Sequence, residues 1–492
     1  MIGLGAVGVL AIAIAVLFLT TGEDAADPTV TSPTIAAPLA SDSPATAVAT
    51  PAASPIATPL ATPVASPVAT PLASPAPSVN IDCELCLVRL PDEPDARAFV
   101  ASVDARPSYA HDGIMWAPIP VADLGALARF APAPVVADAS DTLGLHVMRI
   151  PAGGDPAPIL ESGELLDHVG RQYLVRVADV PFAASGLTAL GIAVEKVLPT
   201  SPPIEADRTT LPPLTDLSEI PSMITTEHLT TTVAELQGSG ATDGGLGTRY
   251  YASPGNVVAA EYLVRRFAEY GLDVSYDDFV TNDGLLGLNV LAEIPGSDPS
   301  QIYLVLGHFD STTDGGPVAP GADDNATGIA AMLEIARVLS RFQLPHPVRF
   351  LATNAEEVGI QGAPAFAARA VEMGVPYAGA FNIDAVGSTA NGSLLILNAD
   401  EDSIWLEDVL IDINDRFGLG QELRVRQNPF IVADDNSLRD YGIPTVLLAR
   451  EVYGWSATHH TPDDVIETVD FDNVRAATEL VALAMASLLI EN

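Results

Sequence analysis

Two kinds of residue are scarce in this chain of 492 residues: cysteines and basic residues. Only Cys83 and Cys86 are cysteines, so the fold cannot depend on a framework of disulfides. Lysine and arginine together number 22 against 63 acidic residues, the formal net charge is −41, and Lys196 is the only lysine. Such a chain repels nucleic acids and anionic membrane surfaces, so we expect neither as a partner.

An uninterrupted apolar stretch opens the chain. Residues 2–19 are all apolar or glycine, and the first acidic residue is Glu23. This length suffices for a membrane-spanning helix and also fits a long signal-peptide core. We therefore assign residues 1–22 to a signal or anchor segment. The protein is expected to be extracellular, either secreted or anchored to the outer face of the cell membrane.

The next two parts of the chain differ sharply in composition. Residues 23–80 are rich in alanine, proline, serine and threonine, which cannot build a core and predict an extended stalk. Residues 81–205 are predicted to form a small α/β accessory domain or pro-domain. Strand-like runs at 115–120 and 173–177 are each followed by a short helix-like run and a second apolar run, which indicates two β-α-β halves.

The two cysteines form a Cys-x-x-Cys pair at the start of this small domain. Such a pair serves redox chemistry or metal binding in other contexts. No second cysteine pair or flanking histidine completes a zinc site here, so a local disulfide is the favoured interpretation in an exported protein.

From residue 217 to residue 492 the pattern alternates between strand and helix. This alternation predicts an α/β fold with a mostly parallel central sheet and helices on both faces. The predicted strands include residues 302–306, 348–352, 380–383 and 445–448. The predicted helices include residues 257–270, 328–342 and 474–489.

Polar residues of chemical interest follow these strands, close to the points where the strands end. His308 comes directly after the first strand, and two adjacent glutamates, Glu356 and Glu357, follow the second. Asp384 follows the third strand and His460 lies beyond the fourth. In an open parallel sheet ligands bind at the carboxyl ends of the strands, so these residues are expected to share one crevice.

Two histidines and three or four carboxylates without cysteine suit zinc, and also manganese or cobalt, in a paired-metal hydrolytic site. A water between two metal ions becomes a nucleophile near neutral pH. The site also needs a carboxylate that binds no metal, accepts the proton of the water and returns it to the leaving amine. A Glu-Glu pair meets both needs if one side chain faces the metal and the other faces the water.

Residues 230–490 resemble the zinc aminopeptidases that include the secreted bacterial leucyl aminopeptidases, aminopeptidase Y and glutamate carboxypeptidase. Five short segments, in order and spacing, carry this resemblance: residues 307–311 (GHFDS), 321–328 (GADDNATG), 354–359 (NAEEVG), 382–384 (NID) and 460–464 (HTPDD). The resemblance implies a dinuclear zinc exopeptidase with two Zn²⁺ per chain that removes N-terminal residues from peptide substrates.

The resemblance also implies a role for each matching residue. The implied metal ligands are His308, Asp324, Glu357, Asp384 and His460. Glu356 would be the general base, and Asp310 would orient His308. The bridging carboxylate would be Asp324 rather than Asp323, because the family places it four residues before the glycine at 328. The peptide bond after it is often cis in this family.

Two departures from the family pattern stand out. Many relatives have a tyrosine before the last histidine ligand, where this chain has His459. His459 is a candidate oxyanion stabiliser, with exposure to solvent as the alternative. Relatives often carry Ser-Asp-His before a Gly-Ile-Pro turn, whereas residues 433–436 read ADDN. The substrate pocket is therefore not carried over.

Three other functions compete with an aminopeptidase. A carboxypeptidase on the same scaffold would need basic residues for the substrate carboxylate, and the candidates are Arg424, Arg426, Arg439 and Arg450. A single-zinc glutaminyl cyclase would not need the ligands of both metals. A non-catalytic, receptor-like ectodomain would need neither the full ligand set nor the general base. Side-chain preference and oligomeric state stay unassigned.

Overall fold

The computed structural model describes residues 83–130, 132–199, 208–237, 247–314, 318–389, 394–426, 432–450 and 456–491. All of them belong to one compact unit, which spans residues 71–492. The predicted anchor segment and stalk, residues 1–22 and 23–80, lie outside the described residues.

The described residues form sixteen strands and eleven α-helices. The strands are β1 (Leu85–Pro91), β2 (Tyr109–His111), β3 (Ile114–Pro120), β4 (Val135–Asp138), β5 (Leu145–Arg149), β6 (Glu164–Val169), β7 (Gln172–Arg176), β8 (Ala193–Lys196), β9 (Asp273–Val280), β10 (Leu286–Ile294), β11 (Ile302–His308), β12 (Val348–Thr353), β13 (Tyr377–Asp384), β14 (Leu394–Asn398), β15 (Glu422–Arg426) and β16 (Thr445–Ala449). The helices are α1 (Pro94–Ser102), α2 (Ala157–Ser162), α3 (Ser185–Thr188), α4 (Ile220–Met223), α5 (Thr226–Gln237), α6 (Pro254–Glu269), α7 (Ala326–Leu339), α8 (Gly362–Glu372), α9 (Ile404–Phe417), α10 (Asp434–Asp440) and α11 (Phe471–Glu491).

The first eight strands form two four-stranded sheets with the same topology. Their strand orders are β2-β3-β1-β4 and β6-β7-β5-β8, and all pairings are antiparallel. Each half is therefore a β-α-β-β-α-β unit of the ferredoxin-like kind, with a 3₁₀ helix, Val121–Phe130, in place of the second helix of the first half. The expectation of two β-α-β halves captured only the second part of each unit. Cys83 and Cys86 form the expected local disulfide.

The remaining strands form one eight-stranded sheet in the order β15-β14-β16-β13-β11-β12-β10-β9. The four central strands, β16, β13, β11 and β12, are parallel to one another. Strands β10 and β9 add an antiparallel hairpin at one edge, and β14 pairs antiparallel with β16 towards the other. The predicted parallel sheet is thus its centre, flanked by antiparallel pairings.

Helices cover both faces of this sheet, as predicted. Alternate residues of a strand point to opposite faces, and in β11 Val305 joins the core formed with α7 and α11. Its neighbours Leu304 and Leu306 join a separate core with α8 and α10. Because both faces are buried, the central strands have no polar face, which explains their continuous apolar runs.

The helix boundaries follow the sequence signals. Helix α6 begins after Ser253, whose hydroxyl accepts a hydrogen bond from the main-chain N–H of Asn256 at 3.2 Å, and Pro254 occupies its first turn. Among the described residues one helix, within Phe471–Ile490, is long and apolar enough to cross a membrane, but 78% of its most apolar stretch is buried inside the protein. It packs on α7, α9 and α5, so it is a core helix.

The second small sheet is attached to the large one at its antiparallel edge. The main-chain N–H of Leu286 donates to the carbonyl of Phe182 at 2.8 Å, and that of Ala184 donates to the carbonyl of Gly284 at 3.1 Å. Phe182 and Leu286 also lie in the same hydrophobic core. The second small sheet and the large domain therefore share main-chain hydrogen bonds and buried apolar surface.

Candidate metal centre

The central parallel strands bring the predicted site residues to one edge of the sheet. His308 is the last residue of β11 and Asp384 is the last residue of β13, its neighbour in the sheet. Glu356 and Glu357 lie in the loop that follows β12, on the other side of β11. His460 lies in the segment between β16 and α11. All four loops start from the carboxyl ends of neighbouring strands, as the pattern predicted.

A first group of potential metal ligands surrounds His308. Its Nε2 atom lies 3.1 Å from Asp324 Oδ1 and 3.4 Å from Asp384 Oδ1. One ligand atom from each of the three residues falls within 4.8 Å of the others. An imidazole nitrogen and two carboxylate oxygens at this spacing can converge on one cation.

A second group lies on the other oxygen of Asp324. His460 Nε2 is 3.3 Å from Asp324 Oδ2 and 2.8 Å from Glu357 Oε2. The other oxygen of Glu357, Oε1, is buried and has no hydrogen-bond partner. The two groups therefore share Asp324, with one carboxylate oxygen directed to each.

His459 also faces this centre. Its Nδ1 atom lies 3.2 Å from Asp324 Oδ2, and its ring stacks on that of His460 with the ring centroids 3.9 Å apart. Its side chain is 25% exposed. His459 was expected either to stabilise an oxyanion or to face solvent. Its ring is only partly exposed and faces the candidate metal centre.

The chain around Asp324 is shaped by Asn325 and the residues near it. Asn325 Oδ1 accepts from the main-chain N–H of Gly328 at 2.9 Å, which caps α7, while its Nδ2 donates to the carbonyl of Ile383 at 2.8 Å. A Cβ atom at Gly328 would lie 2.2 Å from that same carbonyl oxygen, so only glycine fits. The bond between Asp324 and Asn325 is cis. These contacts place the start of α7 directly against the end of β13.

Asp310 holds the loop that carries the two glutamates. Its Oδ1 and Oδ2 accept from the main-chain N–H groups of Glu356 and Glu357, at 3.1 and 3.2 Å. His308 Nδ1 lies 3.2 Å from the main-chain oxygen of Asp310 and 3.5 Å from its carboxylate. The residue predicted to orient His308 thus contacts that ring through both its main chain and its carboxylate, and the same carboxylate holds a different loop.

The charges of the cluster shift its pKa values strongly. Burial by itself would lower the pKa of His308, but the carboxylates of Asp384, Asp310 and Asp324 raise it well above its ordinary value. Burial raises the pKa of Glu356 well above its ordinary value, and neighbouring carboxylates add to this effect. Such a concentration of buried carboxylates is costly without compensating positive charge.

Sequence reasoning missed two buried groups next to this centre. The guanidinium of Arg249 donates to the carbonyls of Phe309 at 2.7 Å and Gly321 at 2.8 Å, so it links the loop after His308 to the loop before Asp324. Asp434 is 1% exposed, accepts a hydrogen bond from the hydroxyl of Thr353 and has its Oδ1 unpartnered. A buried arginine leaves no periodic signal in a single sequence, and Asp434 lies in the segment that departs from the family pattern.

Comparison with known proteins finds similarities over part of the chain. Residues 289–485 match the model of peptidase family M28. Aminopeptidase YwaD from Bacillus subtilis (strain 168) is 30% identical over 215 residues, which cover 42% of this chain and 44% of the relative. Leupeptin-inactivating enzyme 1 from Streptomyces exfoliatus is 30% identical over 215 residues, 43% of this chain and 44% of the relative. The chain thus spans less than half the length of these curated relatives.

A solved structure extends the likeness in fold. The crystal structure of LapB from Legionella pneumophila matches with a TM-score of 0.50 and 17% identity, covering 83% of this chain and 100% of that one. At this identity the match describes the fold alone. The resemblance noted in the sequence is confirmed: residues 289–485 match peptidase family M28, and an aminopeptidase is among the relatives of the chain.

Proposed function

We propose that this protein is a zinc-dependent aminopeptidase that binds two Zn²⁺ per chain and hydrolyses the N-terminal peptide bond of peptides. The observation that carries this proposal is the position of Asp324, which directs one oxygen towards His308 and the other towards His460. A carboxylate shared in this way between two ligand groups is the arrangement that a paired-metal site requires.

The residues fit a pair of zinc ions. His308, Asp324 and Asp384 would hold the first ion, and Asp324, Glu357 and His460 would hold the second. Imidazole and carboxylate donors without thiolate suit zinc, and also Mn²⁺ or Co²⁺. The buried, unpartnered Oε1 of Glu357 supports the presence of a further partner at this position. Two divalent cations would also supply the positive charge that the buried carboxylates need.

The chemistry divides between the metal ions and the chain. Bound zinc would supply Lewis acidity that makes water nucleophilic near neutral pH. Glu356, which is not needed as a ligand, would accept the proton of the attacking water and pass it to the leaving amine. Burial raises the pKa of Glu356 above its ordinary value, which makes its carboxylate a stronger base. His459 would donate a hydrogen bond to the oxygen that becomes negatively charged.

Two observations favour an aminopeptidase over a carboxypeptidase. The acidic domain can receive the free amine of a substrate, and two of the four candidate arginines are already bound internally. Arg439 pairs with Asp435, and Arg450 is 1% exposed and donates to Gln421 at 2.9 Å. Neither is free to hold a substrate carboxylate. A non-catalytic ectodomain would have no need of Glu356 beside a complete ligand set.

Residues 81–205 would form an accessory unit fused to the peptidase domain at 217–492. Export, with the chain secreted or anchored through residues 1–22, is supported by the apolar opening of the sequence and by the disulfide at Cys83 and Cys86.

The direct test is to count the metal ions and assay hydrolysis on the same preparation. We expect about two zinc ions per chain by elemental analysis. We also expect cleavage of aminoacyl-p-nitroanilides, no cleavage of the N-acetylated analogues, and loss of activity with a chelator. Glu356→Ala should keep the metals and lose roughly 100- to 10,000-fold in kcat.

The matched control is Glu372→Ala, at an exposed glutamate of α8, which should behave as the unmodified chain. Cleavage of substrates with a blocked amine but a free carboxylate would support the carboxypeptidase alternative. A folded chain that binds no zinc and hydrolyses nothing would rule out the enzyme.

A further inference from the structure

The carboxylate of Asp464 holds the main chain at Asp324. Its Oδ1 accepts the main-chain N–H of Asp323 at 2.8 Å, and its Oδ2 accepts that of Asp324 at 3.0 Å. Asp464 is 2% exposed, so water does not compete for these hydrogen bonds. Charge-assisted hydrogen bonds of this kind are roughly twice as strong as neutral ones. The main chain that carries the shared carboxylate is therefore fixed at two consecutive groups.

Asp464 belongs to the same loop as His460. Its main-chain oxygen accepts the N–H of Ala322 at 3.1 Å, and its own N–H donates to the carbonyl of Thr461 at 3.2 Å. One residue thus connects the loop that ends at Asp324 with the loop that begins at His460. These two loops contribute both partners of the 3.3 Å contact in the second ligand group.

The positively charged side chain of Arg249 contacts the loop that leads to Asp324. This side chain is fully buried and donates to the carbonyls of Pro320 at 2.6 Å and Gly321 at 2.8 Å. Burial lowers the pKa of Arg249 to about 10, and the carboxylate of Asp464 is the strongest of the charges that oppose this shift. Arg249 and Asp464 therefore hold the same loop from its carbonyl and its N–H groups respectively.

A second aspartate at this centre accepts two consecutive main-chain N–H groups in the same way. Asp310 accepts the N–H groups of Glu356 and Glu357, just as Asp464 accepts those of Asp323 and Asp324. In each case a buried aspartate that follows a candidate histidine ligand holds a different loop, which carries a candidate carboxylate ligand. The loop of Asp323 and Asp324 and the loop of Glu356 and Glu357 are thus both positioned through main-chain atoms.

We propose that Asp464 is a positioning residue that fixes the Asp324 carboxylate between the two metal positions, and so determines whether both ions are bound together. This inference rests on the proposed function and deepens it. Asp464 is not itself a candidate metal ligand; it acts through the main chain of Asp323 and Asp324. Outer groups that orient metal ligands typically change metal affinity by roughly 10- to 100-fold when they are removed.

The test compares Asp464→Asn with Asp463→Asn. Asparagine is nearly isosteric, but its amide NH₂ opposes one of the two N–H groups, so one hydrogen bond is lost. Asp463 is the exposed neighbour in the same loop and serves as control. Zn²⁺ or Co²⁺ is titrated into the metal-free full chain, and the two dissociation constants are determined together with kcat and KM.

We expect Asp464→Asn to lose affinity for at least one of the two ions by roughly 10- to 100-fold. Its kcat should fall with little change in KM, while Asp463→Asn matches the unmodified chain. Two ions bound with unchanged affinity and unchanged kcat in a folded Asp464→Asn chain would overturn the inference. If the unmodified chain itself bound no metal and hydrolysed nothing, the proposed function would have failed instead.

A measurement on the unmodified chain covers the case in which Asp464→Asn does not fold. Hydrogen exchange of the amides of Asp323 and Asp324 is followed by mass spectrometry, with and without chelator. Both amides should exchange slowly even in the metal-free chain, because Asp464 and not the metal holds them. Rapid exchange of these amides once the metal is removed would contradict the inference.

Discussion

Asp323 and Asp324 are adjacent in the chain, yet their carboxylates lie in different environments. Asp323 Oδ1 accepts from the main-chain N–H of Gly387 at 2.7 Å and from the hydroxyl of Thr327 at 3.2 Å. Asp324 directs its two oxygens to His308 and His460, at 3.1 and 3.3 Å. The Asp323 carboxylate thus accepts hydrogen bonds from neighbouring groups of the protein, whereas the Asp324 carboxylate is directed into the candidate metal centre.

This difference predicts opposite results for two otherwise matched substitutions. Asp324→Asn removes the charge shared by both ligand groups, so we expect the chain to lose bound zinc and to lose activity by roughly 1,000-fold or more. Asp323→Asn keeps the Oδ1 acceptor for Gly387 and Thr327, so we expect the zinc content and kcat to stay within about threefold. Elemental analysis and kinetics on both purified variants check this. The reverse ranking would assign the shared ligand to Asp323.

The hydrogen bonds from Glu356 and Glu357 to Asp310 lead to a second prediction. Asp310→Asn leaves one of the N–H groups of Glu356 and Glu357 without its acceptor, so the loop that carries the general base is less well placed. We expect kcat to fall by roughly 10- to 100-fold. Asp314, an exposed residue of the same loop, provides the control as Asp314→Asn.

Zinc affinity distinguishes a displaced loop from a lost ligand in this variant. Asp310 contributes no side-chain ligand in the proposed scheme, so the ion held by His308 should still bind. A kcat equal to that of Asp314→Asn would show that the glutamate loop does not need Asp310.

The central strands and the residues at their ends could be predicted from the sequence, whereas the edge strands of the sheet could not. The central strands are buried on both faces, so they read as apolar runs, and polar residues at their ends stand out. The edge strand β9 gives no such contrast, because most of its residues are exposed or half-buried. A sequence shows that a strand exists but not which strand it pairs with, so the mixed order of the sheet could not be predicted.

The main-chain contacts that support the centre escaped prediction for a different reason. Arg249, Asp310 and Asp464 act on main-chain carbonyl and N–H groups, and every residue offers such groups. A contact with the main chain therefore leaves no pattern at the position of its partner. Asp310 and Asp464 lay within the quoted motifs, but only the structure identifies the loops that their carboxylates hold.

The junction between the small sheets and the peptidase domain predicts that the N-terminal unit supports the fold. Lys196 Nζ donates to Glu261 Oε1 at 2.8 Å and to the carbonyl of Thr142, and its side chain is 1% exposed. Lys196→Met leaves the buried Glu261 without this partner and should lower the free energy of unfolding by about 3 kcal/mol. Replacing Glu261 by leucine as well should recover part of this loss. Urea unfolding of the three chains provides the measurement.

A chain that begins at residue 217 tests the same junction more severely. It would expose Leu286 and the other apolar residues that share a core with Phe182, so we expect poor solubility and no gain in activity. A soluble, truncated chain with higher aminopeptidase activity than the full chain would identify residues 81–205 as an inhibitory pro-region instead.

His146, in the second small sheet, predicts a loss of stability in acid. It is 3% exposed, its Nδ1 lies 3.1 Å from the carbonyl of Gly144, and burial together with the nearby Lys196 ammonium lowers its pKa to about 3. The unfolded chain has the ordinary histidine pKa of about 6.5. Between these two values the unfolded chain binds a proton that the native chain does not. The stability contributed by neutral His146 is therefore complete above pH 6.5 and decreases as the pH falls towards 3.

The size of the effect follows from the two pKa values. From pH 7 to pH 5 the free energy of unfolding should fall by about 2 kcal/mol more in the unmodified chain than in His146→Phe. The phenyl ring fills the same apolar site but carries no titratable group. His111→Phe, at a side chain that is 43% exposed, removes an imidazole that stays in contact with solvent in the native chain, and it should retain the acid slope. Urea unfolding at both pH values measures the difference. Equal slopes for the unmodified chain and His146→Phe would mean that the native protein accommodates a protonated His146.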